Sequence, residues 1–189
     1  GCFEGDTAEA FVQFDRHTSS DINRIALVDW DNDCIGTTRT ILERLIERKF
    51  DFQKISDNIF CEYAAQVTGE GRGKLWGVRF DTSQKLRDKS VTSSGKKSWG
   101  VSPELVFKAR REFNRWGART LKIVVSGGFD EEKIRSFERL KCPVDAYGVG
   151  SSLLREKIDI TADIVEYTGR PCAKVGRSKG DWSKLERIS

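Results

Sequence analysis

Apolar positions along the chain fall into two alternating rhythms. Short, nearly continuous apolar runs occur at Arg24–Trp30, Leu75–Phe80, Leu121–Val125 and Val144–Tyr147. Runs of that length without polar alternation read as strands buried on both faces. Between them the apolar residues recur at helical spacing. Ala8, Phe11 and Phe14 follow Asp6, a plausible N-cap with Glu9 three residues on. Ile35, Thr38, Ile41, Leu42 and Leu45 form a second stripe. Leu105, Val106, Ala109, Phe113 and Trp116 form a third, opened by Ser102-Pro103-Glu104 and stopped by Gly117. Ile134, Phe137 and Leu140 form a fourth behind Asp130, with Pro143 ending the connection. The pattern at Asp51–Val67 is weaker and supports a short helix at most. Ser83–Gly100 is polar and long for a loop, which predicts a functional or mobile segment. Ala162–Tyr167 and Pro171–Val175 flank Gly169-Arg170 and read as an antiparallel hairpin.

Strand–helix–strand alternation predicts an α/β fold, with parallel strands covered by helices. An eight-stranded barrel takes roughly 250 residues. The 189 residues and four core strands therefore suit about half of an irregular TIM-like barrel, plus the C-terminal hairpin. The chain has no Met and opens Gly1-Cys2-Phe3. It is expected to be a piece of a longer protein: residues 1–189 as one partial barrel domain, with an upstream part absent. A half-barrel leaves apolar edges and faces uncovered, which predicts a partner chain, a dimer or poor solubility.

Composition narrows the function classes. Lys and Arg number 33 against 29 Asp and Glu, a balance of +4 that is small and scattered, so nucleic acid is not indicated. At 38% hydrophobic the chain is not intrinsically disordered, and no apolar run suits a membrane span or signal peptide. Cys2, Cys34, Cys61, Cys142 and Cys172 are odd in number and dispersed, which reads as reduced thiols in a cytoplasmic protein. With the single His17 they offer no zinc-ligand spacing, and no metal site is predicted in the protein itself.

The candidate chemistry sits at strand ends. Ser126-Gly127-Gly128 and Gly148-Val149-Gly150-Ser151 follow two successive strands. Glycine lets backbone N–H groups approach a ligand, and amides before a helix favour an anion. Phosphate is the expected ligand, although tight strand-to-helix turns also use glycine for geometry alone. Asp29 and Asp81 end two strands, with Arg79 two residues before Asp81. At the C-terminal edge of a parallel sheet they face the site, where carboxylates can accept from ribose hydroxyls or hold Mg²⁺ and arginine can clamp an anion. Asp33, just before Cys34, reads better as a helix cap. His17 reads as a surface residue, and the lysines from Lys85 to Lys97 as a lid over an anionic substrate or a solvated loop. Trp182 reads as a packing anchor.

At these residues the chain resembles the nicotinate phosphoribosyltransferase family. The stretches that carry the likeness are Gly5-Asp6-Thr7-Ala8-Glu9-Ala10-Phe11, Leu27-Val28-Asp29, Gly77-Val78-Arg79-Phe80-Asp81-Thr82-Ser83 and Gly100-Val101-Ser102-Pro103-Glu104. They continue with Val125-Ser126-Gly127-Gly128-Phe129, Asp145-Ala146-Tyr147-Gly148-Val149-Gly150-Ser151 and Gly169-Arg170-Pro171-Cys172-Ala173-Lys174. The resemblance implies an irregular α/β barrel that converts nicotinate and phosphoribosyl pyrophosphate to nicotinate mononucleotide and pyrophosphate, with ATP hydrolysis coupled and Mg²⁺ required. It implies that Ser126, Gly127, Gly128, Gly148, Gly150 and Ser151 hold the 5′-phosphate. Arg79 and Asp81, with Thr82 and Ser83, would line the ribose and pyrophosphate side, and Asp29 the same rim. A homo-oligomer is implied by resemblance only. Two departures stand out: Trp30 occupies a position where the family usually has Thr, and no residue matches the phosphorylatable histidine. The chain is expected to be the C-terminal portion, inactive in isolation. The alternatives are a quinolinate or nicotinamide phosphoribosyltransferase, or a non-catalytic module that binds a phosphate ligand.

Overall fold

A computed structural model of the chain describes residues 3–93, 95–153 and 163–180. The chain order is α1 (Thr7–His17), β1 (Ile25–Leu27), α2 (Cys34–Phe50), α3 (Asp57–Tyr63), β2 (Gly77–Phe80), α4 (Pro103–Arg115), β3 (Lys122–Val125), α5 (Glu131–Arg139) and β4 (Ala146–Tyr147), then a small hairpin of β5 (Glu166–Tyr167) and β6 (Arg170–Pro171). β1 to β4 form one parallel sheet in sequence order, and β5 pairs with β6 antiparallel. The α/β architecture expected from the alternation of patterns is the one observed.

Caps set the helix starts. Asp6, Asp33, Ser56, Ser102 and Asp130 each accept a backbone N–H from the first turn of the helix that follows. Each cap satisfies one of the amides a helix start leaves unpaired. Glu9 does not complete a reciprocal box with Asp6; its carboxylate takes Gln13 Nε2 at 2.6 Å and Arg44 instead. Gly117, with φ of +81°, follows the end of α4 as the capping pattern requires.

Alternation along the strands sorts the sheet into two faces. Ala26, Val78 and Ile123 share one register row, and all are buried with Phe80 and Val125 beneath the helices. The neighbouring row, Leu27, Arg79, Val124 and Ala146, lies on the opposite, uncovered face, where Leu27 is 41% exposed. Two expected core positions are instead exposed: Phe14 and Leu140. The inner face of α1 is Ala8, Phe11, Val12 and Asp15, rotated one position from the Phe14 stripe. Leu140 falls at the C-cap of α5, past the turn that Phe137 buries.

The strands are shorter than their apolar runs. Among the described residues β1 is an edge strand with one partner, and β4 has two paired residues. The hairpin is likewise reduced to two residues on each side, and Ala162, at its expected start, lies outside the described residues, as do Cys2 and Trp182. At the base of the sheet, fully buried Arg24 bonds Asp15 Oδ1 at 2.5 Å and reaches the carbonyls of Thr18, Ser19 and Ile22. Asp15 in turn accepts from Gly73 N, so one buried ion pair ties α1, β1 and the loop before β2.

Candidate functional site

The site residues arise from one row of the sheet extended by two positions. Leu27, Arg79, Val124 and Ala146 are in register on the uncovered face, so with a side-chain period of two the next positions on that face are Asp29, Asp81, Ser126 and Gly148. The ladder continues one residue past the strands to support this: Val28 N donates to Arg79 O, Ser126 N to Phe80 O and Gly148 N to Val125 O. Asp81 Oδ1 lies only 2.8 Å from where a Cβ on Gly127 would sit, and Ser126 Cβ lies 3.1 Å from the same point on Gly148. Asp29, Asp81, the Ser126 turn and the Gly148 turn therefore stand side by side along the C-terminal edge.

The two glycine turns lie against each other, with Ser152 Oγ donating to Phe129 O at 2.9 Å. Their amides are not equivalent. Those of Ser126 and Gly148 are used by the sheet ladder, and the Ser126 hydroxyl also lies 3.2 Å from Phe80 O. The amides of Gly127, Gly128, Val149 and Gly150 have no acceptor among the described residues. Gly127 and Gly128 have φ of +83° and +72°, a left-handed pair that only glycine adopts without strain. Gly150 has no such φ and open space around its Cα, so the fold itself does not demand glycine there. Ser151 begins a 3-10 turn, Ser151–Leu153.

The N-terminus of α5 carries carboxylates of its own. Asp130 caps it, and Glu131 and Glu132 fill the first turn, so the positive end of the helix is already neutralised. A cation compensates. Lys133 folds back so that Nζ lies 4.1 Å from the Phe129 ring centroid and 3.5 Å from Gly127 O. Burial lowers its pKa from the ordinary value, with Asp130 opposing, and it makes no ion pair with a carboxylate among the described residues. Lysine in the first turn runs against the helix dipole, which is the sequence signal for it that the motif reading missed.

At the β1 end Asp29 is 2% exposed and ion-paired through Oδ2 with Lys174 Nζ, while Oδ1 takes no hydrogen bond from another residue among those described. Burial pushes the Asp29 carboxyl above its ordinary value; Lys174 works against that shift and the Asp81 charge adds to it. Lys174 Nζ also donates to Asp81 O at 3.2 Å. Asp29 and Lys174 line a cavity of about 270 Å³ with Leu27, Trp30, Ala10 and Thr7, mostly apolar in its walls. Trp30 contributes to that wall and accepts Val175 N through its carbonyl. Arg79, exposed on the same face, lies 3.7 Å from Asp81 Oδ2.

Other sequence candidates fall elsewhere. Thr82 is 1% exposed and turned to the helical side of the sheet, its hydroxyl 3.7 Å from Cys34 Sγ, so it does not join the row. Ser83 accepts Lys85 N and starts a turn at the rim. Gln84 extends over Gly128, Nε2 3.5 Å from its carbonyl. Asp33 caps α2, and His17 is exposed in the last turn of α1. The segment from Ser83 to Gly100 is anchored to the fold at several points: buried Asp88 accepts Cys34 N at 2.8 Å, Lys89 N bonds Asn32 O, and Gly100 N bonds Leu86 O. No group of three His, Cys, Asp or Glu side chains converges among the described residues, and no helix there is long and apolar enough to cross a membrane.

The C-terminal edge of this parallel α/β sheet thus carries free glycine amides, a half-buried lysine and two carboxylates, the edge at which open parallel sheets place their ligands. No protein-family model matches the chain. It is similar to the crystal structure of nicotinate-nucleotide pyrophosphorylase from Pyrococcus furiosus, with a TM-score of 0.50 and 30% sequence identity. That match covers 93% of this chain and 35% of the other, so the chain spans about a third of the length of the enzyme it resembles.

Proposed function

We propose that the chain forms the pentose-phosphate half of a phosphoribosyltransferase of pyridine-nucleotide synthesis, acting on nicotinate and phosphoribosyl pyrophosphate with ATP coupled. The observation that carries this is the juxtaposition of unpaired Gly127 and Gly128 amides with Asp81 and Arg79 on one sheet edge. The 5′-phosphate would take the amides of Gly127, Gly128, Val149 and Gly150 with Lys133 beside them. The pentose would lie over Asp81 toward Asp29, and Arg79 would meet the diphosphate. Displacing diphosphate from the anomeric carbon builds positive charge on the sugar, which placement beside fixed carboxylates stabilises without a protein nucleophile.

The residues present suit Mg²⁺ only as an ion carried by the diphosphate. With no three-donor group among the described residues and Asp29 already paired to Lys174, the half-exposed carboxylate of Asp81 is the described donor that would meet it. Bound there, the ion would neutralise the leaving diphosphate.

Quinolinate as the base is supported about as well, because the similar solved enzyme is described by its nucleotide and by pyrophosphate alone. The test supplies the intact protein with phosphoribosyl pyrophosphate and, in turn, nicotinate, quinolinate or nicotinamide, each with and without ATP. Nicotinate-dependent release of pyrophosphate is expected. Quinolinate-dependent release accompanied by CO₂ would move the assignment to the alternative. Tight binding of phosphoribosyl pyrophosphate with no turnover on any base would leave a ligand-binding module.

A further inference from the structure

The segment after the hairpin returns to the sheet edge and brings Lys174 into the site. Val175 N bonds Trp30 O at 3.0 Å, and Gly176 sits where a Cβ would meet Leu86 at 2.7 Å. From this strap Lys174, its side chain 17% exposed, places one ammonium between the ends of two strands: an ion pair with Asp29 beyond β1 and a hydrogen bond to the Asp81 carbonyl beyond β2. Among the described residues β1 is an edge strand, and its ladder to β2 ends with Val28 N on Arg79 O. Past that bond no other polar contact among the described residues joins Asp29 to Asp81. Two carboxylates that repel each other would drift apart along an unpaired edge, and a shared cation between them opposes this.

We propose that Lys174 is a positioning residue that fixes Asp29 and Asp81 at the spacing the pentose requires. This rests on the proposed function for what the two carboxylates bind. An ammonium is suited to the task because it can point donors at a carboxylate and a carbonyl at once. The other oxygen of Asp29 stays buried with no donor among the described residues, while the residue itself lines the cavity.

The experiment compares wild type, K174M and K174R in the intact protein, with steady-state kinetics varied separately in phosphoribosyl pyrophosphate and in the base, and with crystal structures of wild type and K174M. For K174M, kcat/KM for phosphoribosyl pyrophosphate is expected to fall on the order of a hundredfold, the effect of misplacing a binding group by about 1 Å. The loss should appear in KM for that substrate, with KM for the base unchanged, and K174R should recover most of it. A fall in kcat alone with both KM values unchanged would mark a merely structural residue and overturn the proposal, as would K174R behaving like K174M. A wild type without turnover refutes the proposed function instead. The structures still decide the positioning: Asp29 and Asp81 displaced in K174M supports it, and both unmoved overturns it.

Discussion

Replacing Gly127 by alanine strikes the point where the fold and the proposed anion site coincide. Two costs can be worked from the structure. The residue has φ of +83°, and a left-handed conformation costs a non-glycine residue roughly 1–2 kcal/mol. The new Cβ would also stand 2.8 Å from Asp81 Oδ1, so the carboxylate must rotate away and give up its 3.7 Å contact with Arg79. That pair is substantially exposed, and its loss is worth at most about 1 kcal/mol. The sum centres on about 2 kcal/mol, which for a domain of this size lowers the melting temperature by about 4–8 °C. Gly150→Ala is the internal control: it has neither a left-handed φ nor an atom within 4 Å of the new Cβ, so its stability should stay within about 0.5 kcal/mol of wild type. Thermal melts followed by far-UV circular dichroism measure both. Titration with phosphoribosyl pyrophosphate should show weaker binding in both variants, because each adds a methyl group beside a free amide. Equal melting temperatures for the two would refute the steric reasoning. Unchanged binding in Gly150→Ala would remove that turn from the ligand site.

The Arg24–Asp15 pair is predicted to dominate stability at the other end of the sheet. Arg24→Met leaves Asp15 buried with its cation gone and should cost about 3–5 kcal/mol by urea denaturation, where a loss under 1 kcal/mol would show that the pair is dispensable. Asp29 should give stability a pH signature. Its folded pKa lies above the ordinary 3.8, so between those values the folded state holds more protons than the unfolded one, and stability falls as pH rises through the window. Asp29→Asn cannot titrate, so stability measured from pH 3.5 to 7 should shift toward the variant as pH rises above 3.8, and parallel curves would contradict the burial argument.

Some of the site was legible in the chain and some was not, for reasons that differ residue by residue. The glycine pair of the third strand-end turn was recognisable because a left-handed turn beside a carboxylate admits no other residue. Gly150 carried the same letter for no steric reason that the fold supplies. Thr82 sat between Asp81 and Ser83 in the motif yet turned inward, because one step along a strand reverses the face. Lys133 broke a helix rule and could have been noticed, whereas Lys174 could not: nothing in the local pattern indicates a partner at Asp29.

What the sequence determined by itself is what short-range chemistry settles. The caps at Asp6, Asp33, Ser102 and Asp130, the order of strands and helices, and the parallel class of the sheet all follow from spacing within a turn or a strand. Only the tertiary structure decided which amides remain free, which face of each strand meets solvent, and how Lys174 reaches between Asp29 and Asp81. Those depend on register and on contacts between residues far apart in the chain, and a hydrogen bond used by a neighbouring strand is no longer available to a ligand whatever the local motif suggests.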